Sequence, residues 1–296
     1  MFENRKISLV MSGGGARGIA HIGAIEELEK QGYEITSVTG TSMGAVVGAA
    51  YALGKLPEFK EWMLTLDRLK VINLLDFSFS TQGLVKGDKV FNTMRSITKE
   101  ANIEDLRIPF TCVAVDIIER EEIIFKKGNI FDALRATVSI PTVFTPIKSG
   151  SSLLVDGGVL NNLPVNHAER SEGDMLVAVD VTAKAPVIDP FPTKKESEEE
   201  QSIYRKKMKE FQEQLQKILP SGKKESLSYF EVINSTIGLM ISKIAQNTLK
   251  EYPPDMIIKI SKETCSIFDF YRAKELIEIG KIATQNTIKD LNKNNS

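Results

Sequence analysis

The chain has 296 residues, with 38 lysines and arginines against 39 aspartates and glutamates, for a net charge of −1. Hydrophobic residues make up 42% and charged residues 26%, ordinary values for a soluble globular protein. This balance argues against broad phosphate neutralisation of a nucleic acid. Two distant cysteines, Cys112 and Cys265, cannot build a disulfide framework and fit a reducing compartment. Two histidines, His21 and His167, are too few for a His-rich metal site.

The N-terminus, MFENRKISLVMSGGG, holds no apolar stretch of signal-peptide length. The longest small and apolar run, Ala45 to Leu53, falls far short of the roughly 20 residues that span a bilayer. The expected location is cytoplasmic, with peripheral contact at the inner membrane surface left open.

Lys6 to Met11 reads as a short buried strand that runs into glycines, and Ile19 to Lys30 has the apolar spacing of an amphipathic helix closed by Gly32. Ile35 to Thr39 is a second strand, followed by a glycine-flanked turn and an Ala-rich helix to Leu53. This strand–helix–strand–helix order predicts a parallel α/β sheet. Trp62 to Leu75 reads as a helix, 80–88 as a loop, and Lys89 to Thr98 as a further helix. Pro109 to Asp116 is a strand with Glu122 to Phe125 as its hairpin partner. Phe131 to Thr137 is a short helix, Leu153 to Val155 a strand entering Asp156-Gly157-Gly158, and Met175 to Val181 a buried strand. A long helix over about 230–249, a strand at Met256 to Ile260 and a helix over Ala273 to Lys289 complete the pattern.

The composition changes at Ala185. Three prolines precede a highly charged segment in which Tyr204, Met208, Phe211, Leu215 and Ile218 recur at steps of four, three, four and three, one face of a helix. The expectation is a single α/β domain over 1–296 with a charged helical insertion at about 185–225. That helix reads either as a lid or lipid-facing element or as a face packed on the domain or a second subunit.

Gly40-Thr41-Ser42-Met43-Gly44 fits G-x-S-x-G between a strand and a helix. In that setting flanking glycines, Gly40 and Gly44, allow the strained turn that exposes a serine nucleophile. A glycine-rich turn with an incidental serine gives the same string. Gly13-Gly14-Gly15-Ala16-Arg17-Gly18 fits G-x-G-x-x-G and also follows a strand. Two uses compete for it: a pyrophosphate cradle, or backbone N–H groups that stabilise an oxyanion. The next strand ends Val38-Thr39-Gly40 without the carboxylate that a dinucleotide site uses on ribose, which favours the oxyanion use. Arg17 reads either as a charge for an anionic headgroup or as a solvated side chain.

A serine nucleophile needs a base. His21 reads as a packed helix residue, and His167 has no partner pattern around it. Asp156, at the end of an apolar strand and before two glycines, is the better candidate, since burial against Ser42 would raise its basicity. A turn-forming Asp-Gly is the alternative. No H-E-x-x-H and no calcium-loop pattern is present, so neither metal nor other cofactor is expected.

GGGARG, GTSMG and DGG in this order, with ATVSIPTVFTP between the last two, resemble bacterial patatin-like phospholipases, as do DGGVLNNLP and YPPDMIIKI. The resemblance covers roughly 6–184 and 228–285. It implies a three-layer α/β/α fold with a mainly parallel sheet, and hydrolysis of fatty-acyl esters of phospholipid or lysophospholipid. It further implies a Ser42–Asp156 dyad and an oxyanion hole in the loop of Gly13, Gly14, Gly15, Ala16, Arg17 and Gly18. No nucleic-acid partner is expected, and homo-oligomer formation stays open. The rival class is a non-catalytic lipid- or nucleotide-binding module on the same fold.

Overall fold

Apolar strands flanked by amphipathic helices build an eight-stranded sheet in a computed structural model that describes residues 5–294 apart from 75–76, 81–82, 86, 142 and 192–228. Five strands run parallel: β1 (Lys6–Met11), β2 (Glu34–Thr41), β5 (Phe110–Asp116), β9 (Met175–Ala183) and β10 (Met256–Ser261), in the order β10-β9-β1-β2-β5. Every residue of β5 and nearly every residue of β9 is buried, as expected of parallel strands covered on both faces.

Three antiparallel strands finish the sheet. β6 (Glu121–Phe125) pairs with β5 as the expected hairpin, β8 (Ser152–Asp156) pairs with β5, and β7 (Ile147–Ser149) pairs with β8. The registers fix where they lie. Cys112 and Val113 pair with β2 on one side and β6 on the other, while Ala114, Val115 and Asp116 pair with both β6 and β8. β8 therefore follows β2 along the same edge of β5, running toward it head-on.

Helices cover both faces, giving three α/β/α layers. Ile7, Leu9 and Met11 of β1 join one core with Ile22, Ile25 and Leu28 of α1 (Ala20–Lys30), with α2 (Met43–Ala52), and with the final helix, Ala273–Asn294. Val10 points to the opposite face, into a second cluster with Leu163, Leu176, Ala178 and the half-buried Leu249. Leu249 belongs to a helix over Tyr229–Glu251.

Local chemistry explains the departures from the sequence pattern. The continuous apolar spacing at 62–75 predicts one helix, but two form: α3 (Leu56–Leu64) and α4 (Arg68–Leu74). Thr65 bonds back to the Trp62 carbonyl at 2.7 Å, and Asp67 accepts the N–H of Lys70 at 2.8 Å, so one helix stops and the next is capped within three residues. The expected loop at 80–88 is instead a hairpin, β3 (Phe77–Ser80) with β4 (Gly83–Val85). The alternating Phe-Ser-Phe-Ser is its period-two signal. α5 (Asp88–Thr98) and α6 (Ile130–Thr137) form as expected, and the strand β7 has no counterpart in the sequence reading. The charged stretch carrying Tyr204, Met208, Phe211, Leu215 and Ile218 lies outside the described residues. The helix at Tyr229–Glu251 is α7 and that at Ala273–Asn294 is α8.

Candidate active site

Ser42 sits on the turn between β2 and α2 with φ 53° and ψ −126°, a left-handed conformation that costs a non-glycine residue energy. The fold holds it there. Its N–H donates to Thr137 Oγ1 at 2.9 Å, and Thr137 donates in turn to the Val113 carbonyl of β5. Thr41 Oγ1 donates to the Asn161 carbonyl at 2.8 Å. Gly44 lies so close to the Met11 and Ser12 carbonyls at the end of β1 that a Cβ would overlap them, and a Cβ on Gly40 would meet the Ala45 nitrogen at 2.6 Å. Both glycines of the elbow are therefore required by close approach.

Asp156 ends β8 and is buried. Its register partner Ala114 follows Val113, the partner of Thr41, so the ends of β2 and β8 converge on adjacent places of β5. Oδ1 accepts the Gly158 N–H at 2.7 Å, while Oδ2 is enclosed and makes no well-formed hydrogen bond. Burial pushes the carboxyl up to about 6, against the opposing pull of the Ser42 hydroxyl and the Gly158 N–H. A carboxyl with that affinity is a competent proton acceptor near neutral pH.

The glycine loop borders this pair, since a Cβ on Gly13 would stand 3.1 Å from Ser42 Cβ. Its amides are not equivalent. The Gly13 N–H donates to the Asn162 carbonyl at 3.0 Å and the Ala16 N–H to the Ile267 carbonyl at 2.9 Å, so both are already engaged. Among the described residues, the N–H groups of Gly14 and Gly15 have no partner. Gly15 takes φ 57° at the start of the 3-10 turn Gly15–Ile19, which also contains Gly18. Gly15, and Met43 at the start of α2, line the same cavity as Ser42.

Arg17 is tied to backbone rather than left free in solvent. Its guanidinium is largely buried and donates to the carbonyls of Lys262 at 3.1 Å and Cys265 at 2.9 Å. Burial lowers its pKa, with Cys265, Glu263, Asp180 and Asp269 pulling the other way. It fastens the glycine loop to the segment after β10.

Neither histidine joins the serine. His21 is buried in α1, with Nε2 2.9 Å from the Ser12 carbonyl, and burial pushes it down to about 4. His167 bonds Glu122 at 2.7 Å.

Asn162 is a residue that the sequence reading passed over. Its carbonyl accepts from Gly13, and its Nδ2 donates to the Gly13 carbonyl at 3.4 Å and to Thr182 Oγ1 at 3.2 Å. It lies six residues beyond Asp156, so one short segment carries the carboxylate and the tie to the glycine loop. The asparagine pair in DGGVLNNLP was the available signal.

An apolar cavity of about 120 Å³ opens from Ser42, Gly15 and Met43 between α3, α4 and α5. Phe59, Trp62, Phe91 and Phe144 supply aromatic walls. The arrangement places a serine, a buried carboxylate and free amides at one end of a space whose lining, among the described residues, holds no charged side chain, suited to the hydrocarbon arm of an ester.

A model of the patatin-like phospholipase family matches residues 9–169. An uncharacterized NTE family protein of Mycobacterium tuberculosis is 32% identical over a 327-residue alignment that covers 95% of this chain and 91% of that protein. A Candida glabrata protein named lysophospholipase NTE1 is 26% identical over 95% of this chain and 16% of its own length. The crystal structure of VipD from Legionella pneumophila is similar over 97% of this chain and 67% of that one, at 15% identity and a TM-score of 0.49.

Proposed function

The chain belongs to the patatin-like phospholipase family, an ester-hydrolase family of lipid metabolism, and from that premise we propose that it is a serine acyl hydrolase of phospholipase A or lysophospholipase type working through a Ser42–Asp156 dyad. The observation that carries the reading is the convergence of a strained Ser42 and a buried Asp156 of raised proton affinity beside an apolar cavity.

In this reading the acyl chain of the substrate lies along Phe59, Trp62, Phe91 and Phe144, and its ester carbonyl reaches Ser42. The Ser42 oxygen attacks as its proton passes to Asp156. The N–H groups of Gly14 and Gly15 hold the oxyanion that develops. Collapse expels the alcohol part of the lipid, which takes the proton from Asp156 and leaves an acyl-serine. Asp156 then accepts a proton from water as water attacks the acyl carbon, and fatty acid departs with Ser42 restored.

Fluorophosphonate labelling and a lipid panel test this. Wild type is expected to label at Ser42 and to release fatty acid from phospholipid or lysophospholipid, with both lost in Ser42→Ala. Well-folded wild type that neither labels nor releases fatty acid would leave the non-catalytic binding module as the correct reading.

A further inference from the structure

α7 is longer than the sheet it covers. Its 23 residues extend about 35 Å, whereas the six residues of β10, which follows it, extend about 20 Å. The C-terminal end is anchored, because Leu249 packs on Leu176 near the start of β9, and Asp255 just beyond the helix donates its N–H to the Leu176 carbonyl at 2.9 Å. The excess length therefore projects past the opposite end of the sheet, where Ser42 and the glycine loop lie. α7 also touches the turn 157–159 directly after Asp156 and the turn 165–167.

Packing stops partway along the helix. Ile241, Ile244, Ala245, Thr248 and Leu249 are half-buried at helical spacing, while Val232 and all of 235–240 are exposed. The overhang is not built for water. From Val232 to Ser242 there is no charged residue, and Leu239 is 70% exposed, Met240 58%, Val232 46% and Ile237 39%. Large apolar side chains grouped in this way mark an interaction site. Lys243 follows Leu239 by one helical turn, on the same face. Exposed apolar side chains with a lysine beside them fit a lipid surface, where the lysine stem lies along the apolar layer and its ammonium reaches anionic headgroups.

We infer that the overhanging N-terminal half of α7 is the surface by which this protein docks on lipid aggregates, with Val232, Ile237, Leu239 and Met240 entering the acyl region and Lys243 reaching the headgroups. The inference rests on the acyl-hydrolase reading for its purpose, since docking at that end of the sheet delivers substrate to Ser42. Its direct measurement does not depend on turnover.

The test uses the full chain and the double variant Leu239→Glu/Met240→Glu, both changes lying at exposed positions. Binding is measured by co-sedimentation with phosphatidylcholine vesicles containing phosphatidylglycerol, and hydrolysis is measured on aggregated lysophospholipid and on a soluble short-chain monomeric ester. Wild type is expected to bind vesicles and the variant at least about tenfold more weakly. Turnover of the aggregated substrate falls with binding, while turnover of the monomeric ester is unchanged. Wild type that fails to bind vesicles, or a variant that binds equally well, overturns the docking surface. So does a variant that merely converts a dimer to a monomer by light scattering with vesicle binding intact, because the face would then join two copies of the chain. Wild type that binds vesicles yet hydrolyses neither ester would instead sink the hydrolase reading and leave the docking surface standing.

Discussion

Ser42 and Asp156 stand at the facing ends of two strands that share one edge of β5, where Thr41 lies against Val113 and Asp156 against the next residue, Ala114. Their proximity is set by backbone register, so the pair is preorganised by the sheet rather than by flexible side chains. Rigid elements hold reacting groups more accurately than loops do. The bond from the Ser42 N–H to Thr137, itself tied to Val113, locks the elbow to the same place.

Strain at Ser42 separates stability from activity. Ser42→Gly is expected to abolish ester turnover while stabilising the fold by about 1 kcal/mol or more, since glycine accepts φ 53° without penalty. Ser42→Ala should lose turnover equally without that gain. Chemical denaturation of both variants beside wild type checks the difference, and equal stability of the two would show that the elbow stores no strain.

Asp156 predicts a pH dependence of known sign. Its folded pKa, about 6, lies above the ordinary 3.8, so the ionised base forms as pH rises and turnover should climb through about pH 6 to a plateau. For stability the sign is opposite. Burial of the charge costs nothing below about pH 4 and reaches its full cost above about pH 6. Asp156→Asn should therefore be inactive yet more stable than wild type by about 2–3 kcal/mol at pH 8, with the difference vanishing at low pH. Thermal unfolding across pH measures it.

The same limb distinguishes aspartate from histidine. His21→Gln is expected to keep the inflection near pH 6 in whatever activity it retains, as the proposed Asp156 base requires. An inflection that disappeared with His21 would reassign the base.

Asn162 is hydrogen-bonded to the glycine loop. Its replacement by alanine removes the amide contacts to Gly13 and Thr182 while leaving Ser42 and Asp156 in place. The expectation is a fall in kcat of about tenfold or more with little change in KM, the signature of donors used mainly in the transition state. Labelling of Ser42 by fluorophosphonate should slow in parallel, and a change confined to KM would argue that Asn162 serves only substrate binding.

Trp62 tests the cavity as an acyl site. Trp62→Ala should reduce the preference for long over short acyl chains about tenfold, since each buried methylene contributes roughly 0.8 kcal/mol. Rates on a series of esters of increasing chain length give the comparison, and an unchanged chain-length profile would place the acyl arm elsewhere.

Much of this protein is written in short-range pattern. The buried strand before each glycine motif, the helical spacing after it, and glycines where backbone must approach backbone are properties of neighbouring residues, and they identify both loops and Asp156 as chemical candidates. Local pattern also misleads where hydrogen bonding intervenes, as at Thr65 and Asp67, which divide one apolar periodicity into two helices.

Tertiary structure decided the rest, because the deciding contacts join residues far apart in the chain. Ser42 and Thr137 are separated by 95 positions, Asn162 and Gly13 by 149, and Arg17 and Cys265 by 248. Those bonds hold the elbow, tie Arg17 to backbone carbonyls, and give Asn162 a place beside the site. The sequence by itself determined the kinds of chemistry available. Only the placing of β2 and β8 on one edge of β5 brought the serine to the carboxylate, since the choice of which distant strands become neighbours joins parts of the chain that local periodicity does not connect.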